Sequence, residues 1–127
     1  MLGALLNKAG IHNVVVEQRS AEYVLGRIRA GVLEQAAVDL LDEVGVGRRM
    51  HAEGLPHEGI DLCFDDRRHR IPLFELTGKR VMVYGQTEVT RDLMNHRAAS
   101  GRPTIYEAAD VSVHHFDGKA PRVRYVK

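Results

Sequence analysis

Val14-Val15-Val16-Glu17 sets a carboxylate at the end of a short apolar run. Three β-branched residues between Asn13 and Glu17 predict a short buried strand of the kind found in parallel sheets. In a dinucleotide-binding βαβ unit, an acidic residue at the end of the second strand accepts hydrogen bonds from a ribose hydroxyl. A carboxylate suits that task because it offers acceptors and no donor. A surface glutamate that closes a strand end meets the same spacing, so both readings stand.

A second constellation is Gly26-Arg27-Ile28-Arg29-Ala30-Gly31. In an extended segment Arg27 and Arg29 point the same way, and each guanidinium can fork onto a phosphate oxygen. The flanking glycines let backbone approach a ligand closely. The helix expected to begin at Val32 would add free N–H groups for an anion or a ring carbonyl. A solvated loop with surface salt bridges fits these residues equally well. In Gly85-Gln86-Thr87-Glu88, a strand leads into a helix; Gln86 or Thr87 would cap it, and Gln86 also has the reach to bond a ligand edge.

Other candidates carry less. His114 and His115 alternate across an expected strand, so their rings face opposite ways and cannot chelate one metal. His51 and Glu53 lack further ligands at metal spacing. Arg67-Arg68-His69-Arg70 reads as a solvated hairpin, and Cys63 as a small core residue. Neither a nucleophile motif nor a carboxylate pair is present.

The elements that must position these groups fit one α/β domain. The chain has 127 residues, 44% hydrophobic and 28% charged, which places it among soluble globular proteins. Lys+Arg total 18 against 17 Asp+Glu, a net charge of +1, which argues against a nucleic-acid binder. Three Phe, four Tyr and no Trp supply no platform for stacking bases. The single cysteine rules out an intrachain disulfide and suits a cytoplasmic location. No apolar run reaches the length of a membrane span, and no signal peptide opens the chain.

Helices are expected over Leu2–Ala9, Val32–Val44 and Glu88–Ala99, with a helical turn at Arg48–Ala52 and an irregular stretch over residues 18–31. Strands are expected at Val14–Val16, Glu58–Phe64, Arg68–Leu73, Val81–Tyr84, Thr104–Tyr106, Val111–His114 and Arg122–Val126. Asp65-Asp66 and Asp117-Gly118 are the hairpin signals. The first helix opens at Leu2 without a cap and runs into an apolar strand, as in the second half of a βαβ unit. Both ends of the chain therefore read as cut from something larger.

The stretch Glu17-Gln18-Arg19-Ser20-Ala21-Glu22-Tyr23-Val24-Leu25-Gly26-Arg27-Ile28-Arg29-Ala30-Gly31-Val32-Leu33-Glu34-Gln35 closely resembles the 4-hydroxybenzoate 3-monooxygenase family of class A flavin-dependent aromatic hydroxylases. So do Gly54-Leu55-Pro56-His57-Glu58-Gly59 and Val83-Tyr84-Gly85-Gln86-Thr87-Glu88-Val89-Thr90-Arg91-Asp92-Leu93. The likeness covers nearly the whole chain and is thinnest after Gly101.

The resemblance implies a partial Rossmann-like FAD-binding domain spanning residues 1–127: a parallel sheet with helices and a small antiparallel portion, lacking the first strand and its Gly-rich turn. It implies FAD as cofactor, NADPH or NADH as co-substrate, O₂, and hydroxylation of 4-hydroxybenzoate to 3,4-dihydroxybenzoate by an intact enzyme that can be a homodimer. Carried over by position, Glu17 would hold the adenosine ribose. Arg27, Ile28, Arg29, Ala30, Gly31 and Val32 would line the FAD, with Arg29 near the pyrophosphate, and Gln86 would also touch it. Gln18, Arg19 and Tyr23 would serve the pyridine nucleotide, joined by Arg27. The family often has Arg then Gln after the Glu; the reversed Gln18-Arg19 order here leaves the choice of NADPH or NADH open. His57 matches a histidine that ends the family's proton path from the substrate phenol to solvent. The alternative is a truncated, non-catalytic module that binds nucleotide or associates with another chain.

Overall fold

In a computed structural model the chain is described over residues 1–27 and 30–127. Helix α1 (Leu2–Lys8) leads to strand β1 (Val15–Val16), and helix α2 (Ala21–Gly26) follows. The β1 strand pairs in parallel with β7 (Thr104–Ile105), Val15 opposite Thr104 and Val16 opposite Ile105. Parallel neighbours need a long crossover, and everything from α2 to the end of α6 (Gln86–Ala99) lies between these two strands.

That crossover carries an antiparallel sheet of its own. Strands β2 (Val32–Glu34) and β3 (Leu55–His57) flank β6 (Val81–Val83), with Val32 and Leu55 both opposite Val83 and His57 opposite Val81. Side chains alternate across such a sheet. Leu33 and Met82 face inward, while Val32 and Leu55 remain about 60% exposed on the other side.

The inner face meets α3 (Gln35–Glu43) and α4 (Arg48–Glu53). Val38, Leu41, Met50, Met82 and Tyr84 form the buried cluster, and Val89 and Leu93 of α6 pack against it. The hydrophobic spacing in α3 is helical, so burying one stripe against a sheet is what its sequence favours.

Two hairpins complete the chain. Strands β4 (Ile60–Phe64) and β5 (Arg67–Ile71) join through Asp65 and Asp66, whose φ values of 50° and 56° are those of a two-residue hairpin turn that follows the strand twist. Helix α5 (Leu73–Thr77) follows this hairpin. Strands β8 (Ala109–His114) and β9 (Arg122–Val126) form the second hairpin, with a bulge between Ala109 and Ser112.

Several expectations are corrected. Val32 does not start a helix: Val32–Glu34 is strand β2, and α3 begins only at Gln35. Helical spacing cannot separate three residues of β2 from the helix they precede, because pairing with β6 decides. Residues 21–26, expected to be irregular, form α2, whose N-cap Ser20 accepts from the Tyr23 N–H. Helix α6 starts two residues before the expected Glu88, and neither Gln86 nor Thr87 caps it; the cap position is Gly85. Strand β3 and helix α5 were not expected. Cys63 is exposed rather than in the core, because β4 and β5 pair only with each other. His115 leaves the strand with φ of 53°.

Candidate functional site

Glu17 closes β1. Its N–H donates to the Ile105 carbonyl at 2.9 Å, and its own carbonyl accepts from the Ala108 N–H at 3.1 Å. One carboxylate oxygen accepts from the Arg19 N–H at 2.8 Å, which leaves its other acceptor positions open. The half-buried side chain lines a cleft of about 220 Å³, along with Gly3 of α1, Val24 of α2, Leu93 and Arg97 of α6, and Tyr106 after β7. Burial, followed by the negative charge of Glu17, pushes the Tyr106 hydroxyl above its ordinary value.

Arg97 fixes the entry to this cleft. Its guanidinium donates to Asn13 Oδ1 at 2.8 Å, to Thr104 Oγ1 at 3.0 Å and to the Pro103 carbonyl at 2.7 Å. One side chain thereby ties the last turn of α6 to the starts of both parallel strands. Gly3 makes room for it, since a Cβ there would lie 2.8 Å from Arg97 Nη1.

The other end of α6 meets the segment after residue 29. The Gly31 carbonyl accepts from the Tyr84 N–H at 2.7 Å. A Cβ on Gly31 would sit 2.9 Å from Gly85 Cα and 3.2 Å from the Tyr84 carbonyl oxygen, so only glycine lets these two backbones touch. No side chain caps α6. The Glu88 and Val89 N–H groups bond the Gly85 carbonyl, while Gln86 and Thr87 occupy positions whose N–H groups a helix cannot satisfy internally. Gly31 and Gln86 therefore belong to one corner of the molecule. Ala30 beside them is exposed, and Val32 projects from the outer sheet face.

Beneath that corner lies a polar network. The Tyr84 hydroxyl donates to Asp92 Oδ2 at 2.7 Å, and Arg49 Nη1 donates to Asp92 Oδ1 at 2.5 Å. Arg49 Nη2 reaches Glu88 Oε2 at 2.8 Å and Glu53 Oε2 at 3.0 Å. Arg91 also bonds Glu88. The Arg49 guanidinium, with Arg91, holds the Glu88 carboxyl below the usual carboxylate range. Burial, with the Asp92 carboxylate, pushes the Tyr84 hydroxyl well above its ordinary value.

Arg19 and Arg27 converge on Tyr23, their guanidinium carbons 5.1 and 5.9 Å from its ring centre, so three of the residues singled out in the sequence stand together. Gln18 is exposed beside them. His57 is exposed at the end of β3, on the opposite side of the β2–β6–β3 sheet from the core. Ile28 and Arg29 lie outside the described residues. Sequence reasoning placed Gly85 between strand and helix without giving it a contact with Gly31, and missed the Arg49–Asp92–Tyr84 network. A Gly between an apolar strand and a helix marks the first, whereas no local pattern pairs Arg49 with a residue 43 positions on.

The residues present fit FAD. A carboxylate ends a parallel strand beside a cleft, and a backbone contact that a Cβ on Gly31 would fill abuts an uncapped helix start. Among the described residues no group of three His, Cys, Asp and Glu side chains could hold a metal ion, and no helix is long and apolar enough to cross a membrane.

Together, fold and site define a nucleotide-binding α/β domain of the flavoprotein kind. Residues 1–127 match the FAD binding domain family, and the chain belongs to that family, whose cofactor is FAD. It is 52% identical over 126 residues to p-hydroxybenzoate hydroxylase of Acinetobacter baylyi, a match covering 98% of this chain and 31% of that protein. Among solved structures, PqsL of Pseudomonas aeruginosa superposes with a TM-score of 0.80 at 17% identity, over 98% of this chain and 34% of that one. A flavoprotein/dehydrogenase of Cytophaga hutchinsonii gives a TM-score of 0.67 at 17% identity, over 97% of this chain and 33% of that one. These structural likenesses carry the fold. The chain thus spans about a third of the length of the relatives it matches.

Proposed function

We propose that this chain forms the FAD-holding part of a flavin-dependent monooxygenase that hydroxylates 4-hydroxybenzoate to 3,4-dihydroxybenzoate with NADPH or NADH and O₂. The observation that carries this reading is the corner where Gly31 touches Gly85 at the start of α6. It joins the segment that includes Ala30 and Val32 to Gln86, and the p-hydroxybenzoate hydroxylase relative supplies the reaction class. When bound, FAD supplies the redox chemistry, passing electrons from the pyridine nucleotide to O₂ and one oxygen atom to the aromatic ring. The residues of this chain do the holding. Glu17 would accept from the ribose, Arg29 would serve the pyrophosphate with Arg27 lining the cofactor, and Gln86 with the backbone at Gly31 would border the flavin. Gln18, Arg19 and Tyr23 meet the pyridine nucleotide, and His57 passes a proton from the substrate phenol to solvent. The reading places the enzyme in the cytoplasm, acting on a small aromatic substrate, with a homodimer as its assembled form.

A second reading is a non-catalytic module that binds nucleotide without turnover. Titrating FAD into the chain and following its fluorescence separates the two. Quenching at micromolar FAD, with 3,4-dihydroxybenzoate formed once 4-hydroxybenzoate and NADPH or NADH are added, supports the hydroxylase. Quenching without product favours the module. Absence of quenching overturns the cofactor site in this chain. Arg29→Ala is expected to weaken FAD binding, and unchanged affinity would refute its phosphate role.

A further inference from the structure

We infer that Arg49 is a positioning residue for the cofactor corner: together with Arg91 it holds the Glu88 carboxylate sideways, so that Glu88 cannot fold back over the start of its own helix and occupy the place of FAD beside Gln86. The inference rests on the proposed FAD site.

Glu88 is the third residue of α6, the position from which a glutamate commonly reaches back to the cap residue of its own helix. Its Cγ already leans that way, 4.0 Å from where a Gly85 Cβ would stand. The carboxylate then turns away. One oxygen is 2.8 Å from Arg49 Nη2, and Arg91 Nη1 bonds both oxygens. Gly85 supplies no side-chain cap in its place. Without these guanidinium groups, a flexible anion would lie within reach of unpaired N–H groups at a positive helix end, the arrangement it prefers.

Arg49 is itself held in register from below. Asp92, 8% exposed, accepts from it and from the Tyr84 hydroxyl, and the Tyr84 N–H bonds the Gly31 carbonyl. Arg49, Asp92, Tyr84 and Gly31 are thus one connected path from α4 to the cofactor corner.

The experiment measures FAD affinity of the full chain by fluorescence quenching, with circular dichroism to compare folding. Arg49→Ala is expected to weaken FAD binding about tenfold. Adding Glu88→Ala to Arg49→Ala is expected to return most of that loss, because the competing side chain is gone. Arg91→Ala, whose guanidinium bonds Glu88 on both oxygens, is expected to weaken binding about threefold, again reversed by Glu88→Ala, and it serves where Arg49→Ala fails to fold. Wild-type affinity in both arginine variants, or a weakening that Glu88→Ala leaves in place, would overturn the inference; the latter would make Arg49 a purely structural tie. An unmutated chain that does not quench FAD would overturn the cofactor reading itself, and this inference with it.

Discussion

Tyr84, the residue after β6, and Asp92 of α6 form a buried hydrogen-bonded pair: the Tyr84 hydroxyl donates to Asp92 Oδ2 at 2.7 Å, with the two residues 5% and 8% exposed. Arg49 completes the charge balance from α4. A buried carboxylate persists only when its oxygens are paired, and here each of the two has a partner. Tyr84→Phe leaves Oδ2 without a donor. It should cost about 1–3 kcal/mol of stability, read as a lower urea midpoint with unchanged slope.

The same pair sets a pH response. The folded Tyr84 hydroxyl ionises above its ordinary value of 10.0, so above that pH the unfolded chain releases a proton that the folded chain keeps. Stability should therefore be intact below pH 10 and fall as pH rises beyond it. Tyr106, shifted in the same direction, adds to the fall. Urea midpoints measured from pH 8 to 11 should decline less steeply in Tyr84→Phe than in the unmutated chain.

Gly31→Ala places a methyl 2.9 Å from Gly85 Cα, against backbone that no rotamer can move aside. A loss of about 1–3 kcal/mol is expected from such overpacking. FAD affinity should fall as well, because the strand-to-helix turn must shift. Gly85→Ala meets only Glu88 Cγ at 4.0 Å and should be tolerated by the fold, so thermal unfolding of the two variants side by side checks the contrast.

Met50 is fully buried in the core cluster that also holds Tyr84. Met50→Ala should lower stability by about 2–5 kcal/mol. Calorimetry on the two proteins side by side tests this.

Glu17→Gln retains the shape of the side chain and its bond to the Arg19 N–H while removing the charge. Binding of FAD should weaken about tenfold if the carboxylate receives a ribose hydroxyl, since hydrogen bonds to ionised acceptors are about twice as strong as neutral ones. An unchanged dissociation constant would remove Glu17 from the site.

Much of this was legible beforehand. The apolar run at β1 and the helical stripes of α3 and α6 identify themselves, because each must bury a face of fixed period. Asp65-Asp66 marked its turn because short acidic residues tolerate the left-handed region. Val32–Glu34 misled because its strand character comes from pairing with β6, about fifty residues distant, and not from its own pattern. Cys63 misled for the converse reason: alternation suggested a buried face that β4 does not have. Glu17, Gly31 and Gln86 were visible as types and spacings. That Gly31 touches Gly85 depends on three-dimensional closure, as does the path through Arg49.

Helix α6 has its first residues at the Gly31 corner and its last anchored by Arg97 to the strands around Glu17, a span of about 21 Å. The proposed binding regions are thus mounted on one helix, and a bound cofactor would tie its two ends together. Saturating FAD should then shield the α6 amides from hydrogen exchange more than those of the outlying β8–β9 hairpin.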